Sequence, residues 1–286
     1  MWKLPTPTTD NVDADLDSAL TYVDGTAVYP ITASEKRRVR AIYLTYDRKF
    51  GRNCTVLMAV NLGEPLLNAV KNAYGQVQKG GRLVSLRDRL KKVTSICPYC
   101  GFGEIKDLDH HLPKTDFMAL AIYPKNLIPC CHPCNNKKRT AAGEVAAEQF
   151  FHTYLDSLPT EIFFKADVTL PPEGLVVNFR IEQTAGMSND TFQRLNYQIG
   201  KLELNTRYKA QTNIFLGSHK ANFELAYGAL GDSQQLKQFL EVSAASHAKE
   251  FGLNDWRPVL LRGIAECDDF CKGGFRRALG EPNPGA

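Results

Sequence analysis

Cys97-Pro98-Tyr99-Cys100 and, after thirty intervening residues, Cys131-His132-Pro133-Cys134-Asn135 bracket the string Asp109-His110-His111-Leu112-Pro113-Lys114. Zinc prefers a tetrahedral shell of thiolates or imidazoles, and a Cys-x-x-Cys turn lets both sulfurs reach one ion. Two such turns complete the shell. A zinc on Cys97, Cys100, Cys131 and Cys134 has no open position for chemistry, so it is structural and staples the ends of a segment too short to make its own core. Lys106, Lys137 and Lys138 are close enough in sequence to offset part of the thiolate charge. Cys130 and His132 are competing ligands: Cys130 leaves three residues before Cys134, and His132 would serve in a mixed site. Between the knuckles sit a carboxylate, imidazoles and amides of the kind that hold a second metal and activate water.

Outward from this stretch, the chain has 286 residues, 43% hydrophobic and 23% charged, enough for one sizeable core or two smaller ones and unlike a disordered or fibrous protein. The N-terminus lacks a continuous apolar stretch after its charge. No segment approaches the roughly 18 apolar residues of a membrane span, which points to the cytoplasm and away from a membrane. Eight cysteines would suit a secreted disulfide framework only in a shorter chain with an export signal; four of them in paired spacings favour metal. Cys267 and Cys271, spaced by four on an expected helix, invite a metal or redox reading but are read as a buried helix face, and Cys54 as core. The net charge of +4 is a weak push toward nucleic acid. Local runs say more. Lys36-Arg37-Arg38-Val39-Arg40 and Arg276-Arg277 read as solvated helix faces, whereas Arg82 to Lys92 and Lys137-Lys138-Arg139 flank the knuckles and are candidates for phosphate contacts.

Residues 1–33, rich in Pro, Thr and Asp, read as an arm or irregular lead-in. From Ser34, taken as N-cap with Glu35 in the first turn, Lys36 to Asp47 puts Val39, Ile42, Tyr43 and Tyr46 on one helix face. A second helix runs from about Pro65 to Lys79 before Gly80-Gly81 stops it, and a third occupies Leu83 to Ser95. After Cys134 the spacing of Phe150, Phe151, Tyr154 and Leu155 predicts a helix ending at Pro159. Ile162 to Leu170 and Leu175 to Ile181, rich in β-branched and aromatic residues and separated by Pro171-Pro172-Glu173-Gly174, predict a β-hairpin. From Thr191 to about Lys272 the pattern is helical, broken near Gly231-Asp232 and Gly252-Leu253-Asn254-Asp255. The expectation is a mostly helical α+β protein in three parts: an N-terminal arm and helical support (1–95), a small zinc-braced module (96–142), and a C-terminal α+β region (143–286).

Asp109-His110, followed by Leu112-Pro113, by Asn126-Leu127-Ile128-Pro129 and by Asn135 directly after the last knuckle, resembles the HNH endonucleases. In that family a β-hairpin and a helix, the ββα-metal fold, surround one catalytic metal. The match covers residues 97–138. The Asp-His-x-Leu-Pro-Lys and Asn-Leu-Ile-Pro strings also resemble a group of bacterial HNH proteins that includes nuclease partners in anti-phage systems. Carried over residue by residue, the resemblance implies Asp109 as metal ligand and His110 as the general base that takes a proton from the attacking water. It implies Asn126 as the residue that ties the hairpin loop together, and Asn135 as the second metal ligand through its side-chain oxygen. An Asp and an Asn make a hard, oxygen-rich site that favours magnesium or manganese, and 5′-phosphate and 3′-hydroxyl ends are expected. Because strand side chains alternate, only one of His110 and His111 faces the phosphate, and His110 is the one the motif selects.

The implied activity is metal-dependent cleavage of DNA, with Lys114, Lys137, Lys138 and Arg139 as phosphate contacts and solvated surface as the competing reading for Lys114 and Lys138. Two other readings stand beside it: a zinc-braced nucleic-acid or protein interaction module without turnover, and an enzyme of some other phosphate substrate, for which the chain has no P-loop. No helix-turn-helix or finger array reads base edges. A nuclease without its own specificity needs restraint, which makes a regulatory partner such as an ATPase an expectation.

Overall fold

Thr32, two residues before the expected cap, starts the first long helix in the computed structural model. Its hydroxyl accepts from Glu35 N at 3.2 Å while the Glu35 carboxylate accepts from Thr32 N at 2.8 Å, a reciprocal capping box. The structure describes residues 3–143, 145–228 and 231–280; Met1, Trp2 and residues 281–286, which belong to the expected arm and C-terminal region, lie outside them. The class is α+β, with two small sheets among helices. Among the described residues no helix is long and apolar enough to cross a membrane.

The chain divides into two compact units. One takes the described residues up to 158 together with 193–202, and the other takes 159–192 with the described residues from 203 on. Segments expected as support and as cysteine module therefore share a unit and a core.

In the first unit, α1 (Val12–Ala19) precedes α2 (Ala33–Arg48), α3 (Glu64–Ala73) and α4 (Val84–Lys92). Helix α2 buries Val39, Ile42, Tyr43 and Tyr46, the face its spacing predicts, and α3 buries Leu66, Leu67, Val70 and Ala73. Helix α1 lies where an irregular arm was expected. Its acidic sequence carries little helical signal of its own, and tertiary contacts hold it. Lys36 pairs with Asp17, Arg40 with Asp13 at 3.3 Å, and the Arg82 guanidinium donates to the carbonyls of Ser18 and Ala19, each at 2.7 Å. Those carbonyls close the helix C-terminus, where a cation is favourable. The basic run on α2 is thus partly spent on acidic side chains of α1 and is not a free solvated face.

Strands β1 (Asp107–His110) and β2 (Leu127–Cys130) pair antiparallel, with Asp107 opposite Cys130 and His110 opposite Leu127, and α5 (His132–Lys138) follows at once. Leu108, Leu112, Phe117, Leu120 and Leu127 join the same core as α2, α3 and α4. The helix expected around Phe150 to Leu155 is absent. Phe150, Phe151 and Tyr154 are buried, but local side chains take the amides a helix would use: His152 N donates to Asp156 at 2.7 Å, and Tyr154 N and Leu155 N donate to His152 Nδ1 at 3.2 and 3.4 Å.

In the second unit, β3 (Phe164–Thr169) and β4 (Val176–Ile181) form the expected hairpin, Phe164 opposite Ile181. Helix α6 (Asn189–Lys201) starts in this unit, while its residues from 193 on belong to the first; α7 (Leu204–Ser218), α8 (Lys220–Tyr227), α9 (Ser233–Phe251), α10 (Trp256–Ala265) and the short α11 (Phe275–Ala278) complete the second unit. The predicted breaks fall where Asp232 caps α9 and Asp255 caps α10. Gly263 lets α10 approach β3, since a Cβ there would lie 2.3 Å from the Ala166 carbonyl oxygen. Arg276, expected as solvated surface, grips Glu224 at 2.6 Å.

Candidate metal centre and hairpin site

The first knuckle is a tight loop. Ile96 bridges Glu104, Gly101 N donates to Cys97 O at 2.8 Å, and Cys97 N donates to Gly103 O at 2.8 Å. Gly101 adopts φ +75°, which closes the turn at little cost only without a side chain. A Cβ on Gly103 would lie 2.7 Å from Cys131 Sγ, so this glycine admits the second knuckle. That knuckle is the start of α5, with Cys131 as its N-cap and Cys134 in its first turn.

The sulfurs of Cys97, Cys100, Cys131 and Cys134 all lie within 4.8 Å of one another, and all four residues are buried. Zinc–sulfur bonds of about 2.3 Å set tetrahedral sulfur–sulfur edges near about 3.8 Å. Cys100 and Cys131 sulfurs are 3.8 Å apart. The four thiols titrate together: hydrogen bonds within the cluster hold the Cys131 thiol below its usual range and push the Cys134 thiol above it. The four cysteines could therefore hold a metal such as zinc. Cys130 is buried outside the cluster, its thiol pushed up by burial, and His132 is mostly exposed with Nδ1 on Asp107, so neither competing ligand joins it. Lys106 turns to Glu104 and Lys138 to Asp109, so the expected charge compensation does not come from them.

On β1, alternation sets Asp107 and Asp109 on the face toward α5 and His110 on the other. Asp109 is almost wholly buried. Tyr99 Oη donates to its Oδ2 at 2.8 Å, and Lys138 Nζ approaches the same oxygen at 3.1 Å. Burial pushes the Asp109 carboxyl up and the Lys138 ammonium pulls it back down. Lys138 also donates to His110 O at 2.7 Å and is wholly buried, so its expected role at a phosphate is overturned: it points into the protein. Asn135 is not in hydrogen-bond contact with Asp109. Its Nδ2 donates to Asp107 at 3.0 Å, which leaves its Oδ1 without a partner among the described residues.

His110 is half-buried, its ring 4.3 Å from the Tyr74 ring, and its Nε2 lies 2.9 Å from the Ala121 carbonyl oxygen. A carbonyl only accepts, so Nε2 carries the proton and Nδ1 keeps its lone pair. Nδ1 has no partner among the described residues. Burial pushes the ring's pKa down to about 3, so the neutral form prevails at cellular pH. His111 is buried against His152, with Nδ1 unpartnered. Asn126 is fully buried: Nδ2 donates to Leu112 O at 3.0 Å and Leu120 O at 3.2 Å, while Oδ1 accepts from Leu112 N at 2.8 Å and Tyr46 Oη at 3.1 Å. It ties together the loop that carries Ala121. Lys114 Nζ lies 4.5 Å from the Tyr74 ring centre, its pKa lowered by burial and by Lys71. Arg139 is exposed at the end of α5 and Lys137 half-buried.

The structure thus brings His110, Lys114 and Tyr74 together on one side of β1, and Asp109, Lys138, Asp107 and Asn135 on the other. Asp107 was legible as the alternate residue on the Asp109 face. Tyr74, Tyr46 and His152 come from distant segments and carry no local signal.

No family model matches this chain, and no solved structure matches it. The chain is similar to Protein ea31 of Escherichia phage lambda, 27% identical over 251 residues that cover 80% of this chain and 81% of that protein.

Proposed function

We propose that the chain is an HNH endonuclease that hydrolyses phosphodiester bonds in DNA, with His110 as general base. The observation that carries this reading is the His110 ring: Nε2 anchored on the Ala121 carbonyl, Nδ1 open and unprotonated. An imidazole so held accepts a proton from water at Nδ1 without changing tautomer. Burial alone leaves it a weak base, but a phosphodiester anion against the ring raises its pKa toward the working range.

Further support comes from the hairpin and helix around it. β1, β2 and α5 follow one another as the ββα-metal arrangement requires, and the four cysteines brace their ends. Carboxylate and amide oxygens suit magnesium or manganese by chemistry; Asp107 and Asn135 are in contact at 3.0 Å, whereas Asp109 is buried on Tyr99 and Lys138 and would bind an ion only by giving up Lys138. Such an ion supplies charge to the phosphate and leaving oxygen when bound. Lys138 already holds Asp109 and is the cation with which it competes. Lys114, with Lys71 nearby, supplies positive charge on the His110 side. The relative is a phage protein, which lends no support to an anti-phage role; that role and an ATPase partner stay proposals resting on the motif.

The test is plasmid cleavage over a magnesium and manganese series, wild type against His110→Ala. Loss of at least about 100-fold in rate, with bound zinc and fold unchanged, is expected of a lost general base. Equal cleavage by both proteins sinks the assignment. A second reading, a zinc-braced interaction module, is favoured by Asp109, whose carboxylate is buried on Lys138 and Tyr99. It predicts DNA binding that His110→Ala leaves intact and no turnover with any metal.

A further inference from the structure

The buried polar chain that ends on Asn126 begins outside the β1, β2 and α5 segment. Each of its bonds has a direction that its neighbours dictate. Asn126 Nδ2 faces two carbonyls, so its Oδ1 faces Tyr46 and accepts the hydroxyl proton at 3.1 Å. The Tyr46 oxygen is then free to accept, and His152 Nε2 lies 2.8 Å from it. His152 Nδ1 already accepts from Tyr154 N and Leu155 N, so the ring proton is on Nε2, pointing at Tyr46. Burial pushes the His152 pKa down to about 3, in keeping with a neutral ring.

His152 is itself fixed. Arg194 holds Asp156 with two bonds, 3.0 and 2.6 Å, and donates to Gln149 O and Phe150 O, while Asp156 accepts from His152 N. Gly51 gives the ring its space, since a Cβ there would lie 2.2 Å from His152 Cδ2. At the other end, Asn126 binds Leu112 and Leu120 across the loop whose Ala121 carbonyl accepts from His110 Nε2.

We propose that Tyr46 and His152 are positioning residues for His110, acting through a one-way hydrogen-bond chain, His152 to Tyr46 to Asn126, that holds the Ala121 loop. The proposal rests on the reading of His110 as the base. Neither residue touches the reacting atoms. A carbonyl displaced by about 1 Å would leave hydrogen-bond distance of Nε2 and no longer select the tautomer with Nδ1 open, and a misplacement of that size in a catalytic group costs rate steeply.

Tyr46→Phe removes one hydroxyl and keeps the ring. Nitrogen-15 NMR of histidine-labelled protein reads the His110 tautomer, and plasmid cleavage reads kcat and KM. Wild type shows His110 protonated at Nε2. In Tyr46→Phe a mixture of tautomers and a kcat lower by about tenfold or more are expected, at unchanged KM and zinc content. His152→Gln keeps an N–H for Tyr46 and is expected to retain the wild-type tautomer and kcat, whereas His152→Leu behaves as Tyr46→Phe. A Tyr46→Phe protein with wild-type tautomer and kcat overturns the proposal, and so do His152→Gln and His152→Leu proteins that behave alike. Should Tyr46→Phe fail to fold, the His152 pair decides. Should wild type not cleave DNA, the endonuclease reading falls and the tautomer measurement alone decides the positioning role.

Discussion

Lys138 Nζ lies 3.1 Å from a carboxylate oxygen of Asp109, and both side chains are buried. The two residues are 29 positions apart, on α5 and β1, and the same ammonium binds the carbonyl of His110. A buried ion pair is weak support for stability in total, because both charges lose their water, but removing one partner strands the other. Lys138→Met is therefore expected to destabilise the protein by about 3–5 kcal/mol, and Asp109→Asn with Lys138→Met together by much less than the sum of the two single changes. Urea unfolding of the four proteins checks this. Additive effects would mean that the two charges are not coupled.

The four-cysteine cluster makes a sharp distinction between adjacent cysteines. Cys131 lies in the four-sulfur cluster and Cys130, equally buried, does not. Cys131→Ser is expected to lose the bound zinc and much of the order of the segment from 96 to 138, since structural zinc contributes to folding outright. Cys130→Ser keeps one zinc per chain and loses only packing. Metal content by mass spectrometry of the purified proteins reads the difference, and retention of zinc by Cys131→Ser would move the fourth ligand elsewhere.

How much of this was legible follows the range of the interactions involved. The cysteine shell could be read because two Cys-x-x-Cys turns are local signals, and α2 and α3 could be read because Val39, Ile42, Tyr43, Tyr46 and Leu66, Leu67, Val70 repeat at helical spacing. Helix α1 could not, because its acidic residues are matched by Lys36 and Arg40 on another helix. The segment at 150–156 misled by its spacing: Phe150, Phe151 and Tyr154 all turn inward, and His152 and Asp156 take the amides. Within the site, the motif picked out His110 over His111, and only the fold shows that Lys138 points inward and that Asp107 adjoins Asn135.

The cations differ in what they are free to do. Arg40 is engaged with Asp13, whereas Lys114 stands beside His110, near Lys71 and over the Tyr74 ring, with no carboxylate partner among the described residues. If DNA crosses the His110 side, Lys114→Ala should weaken binding and lower the slope of log affinity against log salt by about one. Arg40→Ala should leave the slope unchanged and alter stability by no more than about 1 kcal/mol, as exposed pairs do. Fluorescence anisotropy with a labelled duplex between low and moderate salt measures both, and an unchanged slope for Lys114→Ala removes that residue from the interface.

His152 also makes stability depend on pH, with a sign that can be worked out. Burial lowers its folded pKa to about 3, against an ordinary value of 6.5. Between those values the unfolded chain takes up a proton that the folded chain refuses. Unfolding is therefore favoured as pH falls, and the contribution of the neutral ring is intact above about pH 6.5 and lost progressively toward pH 3. The slope from one such group is about 1.4 kcal/mol per pH unit in the middle of that range. A metal held by the four cysteines would add its own acid-dependent slope, since its ligands must be deprotonated, so the informative quantity is the difference between two proteins at matched metal content. His152→Gln has no ring to titrate and should show a slope shallower by about 1.4 kcal/mol per pH unit between pH 6 and 4.5 in urea unfolding. Equal slopes would mean that His152 takes up a second proton in the folded protein as readily as in the unfolded chain, on Nδ1, where Tyr154 N and Leu155 N now donate.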